Sequence, residues 1–263
     1  NADDDLVYKM REDLESKVAL FSMDENNKRI KKHTAKGGIA AVFENNYITI
    51  IKSGWKVRIE KVINIPLTFG GRAAFMIQNV LAATLAAYLN GLTTEDIKFG
   101  LTTFVPGTAQ TPGRLNSLEV GEFKVLIDFA HNPAGMEALS KFVDKFPNKV
   151  KIGVVAGTGD RRDEDIIKLG TVVGKMFTKV VIRQDDNLRG RATANEISDL
   201  LLKGILKANP EIKHKVIADE VEAIEFALSH TKKNELLVLL PDDIPRCIQI
   251  VTKFRESLNP VKV

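Results

Sequence analysis

The chain has 263 residues, 44% hydrophobic and 27% charged, with a formal net charge of +4, 18 glycines, 9 prolines and one cysteine. That length suits one large domain or two ordinary ones with buried cores. No apolar run approaches the roughly 20 residues that cross a bilayer, the lone Cys247 excludes a disulfide framework, and so small a charge argues against a dedicated nucleic-acid binder.

These exclusions leave a globular protein expected in the cytoplasm, with apolar-flanked Cys247 as a packed thiol. The opening Asn1-Ala2-Asp3-Asp4-Asp5 has no Met and no basic-then-apolar signal segment, so the chain is expected to begin inside a domain. Residues 4–17 predict a helix with carboxylates in its first turn, and residues 18–23 a strand. The basic stretch 28–32 has no interleaved aromatic residues for stacking and predicts a solvated loop between strands. Residues 37–44, 47–52 and 57–63 alternate apolar and polar side chains around turns at Asn45-Asn46 and Ser53-Gly54, the pattern of an antiparallel meander. Two helices follow, over 73–89 and 94–104. The turn-rich segment 105–113 is the best boundary and divides the chain into domains 1–110 and 111–263.

Past that boundary, residues 114–120 and 122–128 predict a hairpin around Gly121, with a helix from about Pro133. Strand-like runs at 151–156, 179–183, 215–218 and 235–240 then alternate with helical patterns at 164–177, 194–208, 220–229 and 244–256. Such alternation predicts an α/β fold with βαβ units around a mostly parallel sheet. Ligands of such sheets sit beyond the carboxyl ends of the strands.

Three polar segments fall there. Asp128 and His131 end an apolar strand, with Pro133 opening the next helix. A carboxylate there can accept ribose hydroxyls and an imidazole can contact a phosphate, while a helix-capping Asp128 is the structural alternative. Gly157-Thr158-Gly159-Asp160-Arg161-Arg162-Asp163 follows the next strand. Its glycines allow a close backbone approach and the helix start can hold an anion, but the third glycine of a dinucleotide motif is replaced by Arg162. A salt-bridged cap explains the charges equally well. Asp185, Asp186, Arg189 and Arg191 form the third segment, suited to the charged ends of an amino acid or to a self-neutralising loop. In the N-terminal half, Asn79 interrupts an apolar helix, where its amide either complements adenine or bonds a neighbouring helix. Residues 170–176 imitate a phosphate loop, but they are one residue short, have Met in place of Ser or Thr, and fall within a helix.

Taken in order, Gly70-Gly71-Arg72 with Asn79 and Ala82-Ala83, Pro112-Gly113-Arg114, Asp128-Phe129-Ala130-His131-Asn132-Pro133 and Gly159-Asp160-Arg161 resemble the Mur ligase family of ATP-dependent acid–amino acid ligases. The resemblance covers essentially the whole chain. It implies that 1–110 is the later part of a central ATPase domain, built of helices and antiparallel strands, and that 111–263 is a Rossmann-like C-terminal domain. By the same resemblance Asn79 contacts adenine, Arg114 the phosphates and Asp128 the ribose, with His131 close to the nucleotide. The loop with Asp185, Asp186, Arg189 and Arg191 binds the incoming amino acid. The family's reaction phosphorylates a carboxylate with ATP and Mg2+, and an amine then attacks the acyl phosphate.

Asn1-Ala2-Asp3-Asp4-Asp5-Leu6-Val7, Ala109-Gln110-Thr111-Pro112-Gly113-Arg114 and Arg189-Gly190-Arg191 narrow the likeness to members that join arginine to the side chains of a polyaspartate polymer. The family's phosphate loop, its magnesium-binding Ser or Thr and Glu, and its modified lysine have no match here, and neither does an ATP-grasp domain. The resemblance therefore implies a piece of a ligase, inactive alone, with no metal ligand or catalytic residue assigned. Its implied partners are an amino acid and the polymer, with no nucleic acid or membrane, within a homo-oligomer of the parent enzyme. The alternative is a non-catalytic module that binds nucleotide or amino acid.

Overall fold

The computed structural model describes residues 1–184 and 187–258. Two compact units succeed one another, Asn1–Val105 and a second that starts at Pro106.

The first unit is built on a four-stranded sheet of β1 (Leu20–Ser22), β2 (Ile39–Glu44), β3 (Tyr47–Lys52) and β4 (Trp55–Lys61), in that order. The meander expected from period-two alternation is present, because β2, β3 and β4 pair antiparallel. Asn45 and Asn46 turn β2 into β3 with φ of 50° and 65°, the backbone a two-residue hairpin requires. β1 instead pairs parallel to β2, with Leu20 opposite Ala40.

A parallel pair needs a crossover, and here it is a helix where a loop was expected. α2 covers Lys28–Ala35, its start capped by the Asn27 side chain, which accepts the Arg29 N–H at 2.8 Å. Fully buried Ile30 anchors its inner face, while the lysines face water. The long N-terminal helix expected at 4–17 is also corrected. It shortens to α1 (Asp5–Lys9) and a 3-10 turn at Met10–Asp13, neither with a buried residue. Without an apolar face to pack, a helix of that length has little to hold it. α3 (Ala74–Leu89) and α4 (Thr94–Thr103) follow, the latter started by a capping box between Thr93 and Asp96. Ile77, Val80, Leu81 and Leu85 of α3 join Ile48, Ile50 and Ile59 of the sheet in the core.

In the second unit, β5 (Asn116–Val120) and β6 (Phe123–Ile127) make the expected hairpin. Then come α5 (Pro133–Val143), β7 (Lys151–Val155), α6 (Asp163–Met176), β8 (Lys179–Ile182), α7 (Ala194–Ala208), β9 (Lys213–Val216), α8 (Glu220–His230), β10 (Leu236–Leu239) and α9 (Ile244–Leu258). The six strands are ordered β5-β6-β10-β7-β8-β9, and every pair is parallel except β5 with β6. β9 starts two residues before the run expected at 215–218. It is an edge strand with all four side chains exposed, so it carries no apolar signal of its own.

α8 and α9 pack on one sheet face, with Ala223, Ile224, Ala227, Cys247 and Val251 in its core. Burial there, with Glu220 nearby, pushes the Cys247 thiol up to about 12. α6 and α7 cross almost backbone to backbone. A Cβ on Gly170 would lie 2.1 Å from the Leu201 carbonyl oxygen, and one on Gly204 would lie 2.1 Å from that of Ile167. Gly170 and Gly174, which gave 170–176 its likeness to a phosphate loop, thus serve helix packing inside α6. Among the described residues no helix is long and apolar enough to cross a membrane.

Candidate functional site

Parallel order in the second unit sets the loops after β6, β10, β7 and β8 side by side at the carboxyl edge of the sheet. Asp128 stands at the end of β6 and is 7% exposed. Its Oδ2 accepts the Leu115 N–H at 3.0 Å and its Oδ1 the Ala130 N–H at 2.9 Å. Burial pushes its carboxyl above the usual range, against the pull of those N–H groups and the charge of Arg114. The capping role open to Asp128 belongs instead to Asn132, whose side chain accepts the Gly135 N–H at 2.8 Å and starts α5 with Pro133 at its first position.

His131 and Arg114 both lean on Phe129. The imidazole centroid lies 4.9 Å from the Phe129 ring and the Arg114 guanidinium carbon 5.4 Å from it. Nδ1 of His131 lies 2.9 Å from the Phe129 carbonyl oxygen. A carbonyl only accepts, so Nδ1 carries the proton in that bond, and in the neutral ring Nε2 is the acceptor.

His131, Thr158, Arg183 and Asp242 help line a pit of about 10 Å³ between these loops, room for about one water. The Thr158 hydroxyl is buried there with no hydrogen-bond partner. Arg183, 4% exposed, ends β8. Its guanidinium pairs with Asp242 at 2.8 Å and Glu220 at 3.0 Å and donates to the Leu240 carbonyl at 3.2 Å. Glu220 in turn accepts the N–H groups of Asp242 and Asp243. This strut ties the ends of β8 and β10 to the start of α8. Sequence reasoning missed Arg183, Glu220 and Asp242. Its available signal was position, since Arg183 and Asp242 come one and three residues after apolar strands.

The glycines of 157–163 sit in close packing. A Cβ on Gly159 would fall 2.2 Å from the Leu188 carbonyl oxygen, so glycine makes room for the neighbouring loop. The α6 start also differs from an anion site. Asp163, Glu164 and Asp165 fill its first turn, where they satisfy the helix dipole and repel anions. Arg162 bonds Asp165 at 2.9 Å, a salt-bridged cap.

Arg191 links the two loops. Its guanidinium donates to the carbonyls of Gly159 at 3.1 Å and Arg161 at 2.6 Å, and pairs with Asp163 at 2.7 Å and Glu196 at 2.6 Å. Arg189 lies in the left-handed region, φ 48°, and its guanidinium reaches Asp160 at 3.4 Å. Asp185 and Asp186 lie outside the described residues. In the first unit, Asn79 is exposed on α3 and its amide lies 3.6 Å from the Met76 sulfur. A hydrogen bond to a neighbouring helix is thereby replaced by a solvent-facing amide. Among the described residues no group of three or more His, Cys, Asp or Glu is placed to hold a metal.

Residues 113–242 match the family model described as Mur ligase, glutamate ligase domain. The chain is 45% identical over 253 residues to the cyanophycin synthetase of Crocosphaera subtropica, covering 96% of this chain and 29% of the relative. It is 43% identical over 259 residues to that of Synechocystis sp., covering 98% of this chain and again 29% of the relative. The chain thus spans less than a third of these relatives. Among solved structures, E. coli FolC in complex with DHPP and ADP aligns with a TM-score of 0.58 at 16% identity, covering 92% of this chain and 53% of that one. MurF from Acinetobacter baumannii aligns with a TM-score of 0.56 at 17% identity, covering 90% and 51%. These likenesses establish the fold, and the family match falls on the unit that carries the carboxyl-edge loops: residues 113–242 form a Mur ligase domain, and the chain is similar to the cyanophycin synthetases over nearly its whole length.

Proposed function

We propose that the chain supplies part of an ATP-dependent carbon–nitrogen ligase, the part that closes over the nucleotide and receives the amino acid. In this reading 1–110 is the later portion of the central ATPase domain and 111–263 the C-terminal domain. The supporting observation is the meeting of the loops after β6, β7, β8 and β10 at one sheet edge, in a chain so similar to cyanophycin synthetases. The amino acid is arginine and the acceptor is the side-chain carboxylate of a polyaspartate polymer. The full ligase works in the cytoplasm, where ATP is supplied, as a homo-oligomer.

Each residue has a task in that reaction. Exposed Asn79 presents its amide to adenine. Arg114, next to the Leu115 N–H that Asp128 holds and with its guanidinium resting on Phe129, meets the nucleotide phosphates. Asp128 keeps spare lone pairs for a ribose hydroxyl, since each oxygen accepts one N–H. His131 turns Nε2, an acceptor, toward the nucleotide side. Asp185, Asp186 and Arg189 receive the amino acid, and Arg191 holds their loop against 157–163. Closure of these loops excludes the water that would hydrolyse an acyl phosphate. Magnesium bound with ATP neutralises phosphate charge. The described residues offer it no cluster of ligands, and Arg114 is what this chain brings to the phosphates.

A second reading is a module that binds nucleotide or amino acid without catalysing. Calorimetric titration with Mg-ADP and with arginine tests the binding both readings share. Binding that weakens at least tenfold in Asp128→Ala is expected, and an absence of ADP binding overturns the nucleotide role. Release of ADP from ATP, arginine and polyaspartate by this chain alone would overturn the view that it needs a phosphate loop from elsewhere.

A further inference from the structure

We infer that the outer face of α2 is a tethering surface for an extended acidic polypeptide, a stretch of the polymer away from its reacting end. The inference rests on the polyaspartate acceptor proposed above. α2 joins β1 to β2 with Ile30 turned into the core. Lys28 and Lys32 stand four residues apart on its outer side, and Lys36 follows at its C-cap, four residues further. All three are exposed, and none has an ion pair within the chain among the described residues. Lys31 flanks them and donates to the Asn26 side chain at 2.9 Å.

The acids nearest this stripe are engaged elsewhere. Asp5 pairs with Arg29, which also donates to the Ala2 carbonyl at 2.9 Å and lies over the Tyr8 ring. Asp3 accepts from the Ser22 hydroxyl and the Met23 N–H, Asp24 accepts the Asn26 N–H, and Glu25 pairs with Lys56 at 3.5 Å. α2 itself carries no acidic residue, whereas α4, α5, α6 and α7 mix both signs. Such a stripe works against the helix that carries it. Lys28 and Lys32 repel across one helical turn, and Lys28 in the first turn opposes the helix dipole. The crossover therefore folds without needing these lysines, and an anionic partner is what they suit.

Spacing selects the partner. From Lys28 to Lys36 the helical rise is about 12 Å. In an extended chain the side chains of one face recur every second residue, so three of them span about 13 Å. Three successive same-face aspartates therefore meet the three lysines with no bend in either chain. A nucleic-acid strand would gain nothing from stacking, because α2 has no Phe, Tyr or Trp.

Fluorescence anisotropy of the full chain with a labelled oligoaspartate of about ten residues tests this. Binding that weakens as salt rises is expected. Lys28→Gln with Lys32→Gln and Lys36→Gln should raise the apparent Kd at least about tenfold, since three ion pairs are lost. A control, Lys175→Gln with Lys203→Gln and Lys207→Gln, removes the same charge from exposed positions on α6 and α7. Its Kd should stay within about twofold of wild type, because distant charges are screened. Relieved of repulsion, the α2 variant should melt no lower than wild type. Mg-ADP titration distinguishes failure here from failure of the nucleotide role. Wild type and the α2 variant should bind ADP equally, and ADP binding without oligoaspartate binding overturns the tether alone. An equal loss in the control, a lower melting temperature in the α2 variant, or tighter binding of single-stranded DNA or phosphatidylserine vesicles through the same lysines also overturns the proposal.

Discussion

The carboxylate of Asp128 accepts the backbone N–H of Leu115 at 3.0 Å, and Leu115 is a buried leucine held at φ 50°. A side chain other than glycine in the left-handed region costs about 1–2 kcal/mol. A hydrogen bond to a buried carboxylate returns about as much. Leu115 contributes the other half by sitting in the core at 1% exposure. Arg114, the residue before it, therefore projects from a turn fixed on both sides.

Asp128→Asn should cost the second unit about 1–3 kcal/mol, because an amide accepts one N–H and turns its own donors on the other. The melting temperature should fall by roughly 3–10 °C in scanning calorimetry. An unchanged transition would show that the Asp128–Leu115 bond does not hold the turn.

Arg183→Met should destabilise the same unit by about 2–4 kcal/mol in denaturant titration, since Glu220 loses its cation in a half-buried position. Adding Glu220→Gln should recover part of that loss by removing the stranded charge. If the double variant falls by the sum of the two single ones, the residues do not act as a pair.

Gly204→Ala should be among the most damaging small substitutions in the chain. Its new methyl group would meet the Ile167 carbonyl at 2.1 Å, forcing α6 and α7 apart. A loss above about 3 kcal/mol is expected. A soluble variant with wild-type stability would mean that the helices do not cross as closely as described.

In the first unit, buried Glu44 pairs with Lys56. The ammonium bond holds the Glu44 carboxyl below its ordinary value, outweighing burial. A folded-state pKa lower than the unfolded one contributes stability that is present above the unfolded pKa and lost as pH falls through the folded one. The difference in melting temperature between wild type and Lys56→Met should therefore be largest near neutral pH and vanish in strong acid. A difference independent of pH would remove the pair as its cause.

Much of the fold was legible because its signals are local. Period-two alternation and left-handed Asn45-Asn46 mark the meander, and short apolar runs between amphipathic helices mark the parallel sheet. Elements lacking such a signal were misread. α2 is mostly lysine outside and depends on Ile30, one buried residue. Residues 4–17 have helix-forming composition but no face that packs.

By itself, the sequence determined the α/β class, the hairpin leading to Asp128, and the placing of polar residues after apolar strands, because strand periodicity puts them there. Only the tertiary structure decided what those residues do to one another. It gave Asp128 to Leu115, Arg183 to Glu220 and Asp242, and Gly159 to Leu188, because such partners lie far apart along the chain. The antiparallel register of β5 and β6 sets Leu115 opposite Asp128, and the parallel order β10-β7-β8 brings the other partners within bonding distance.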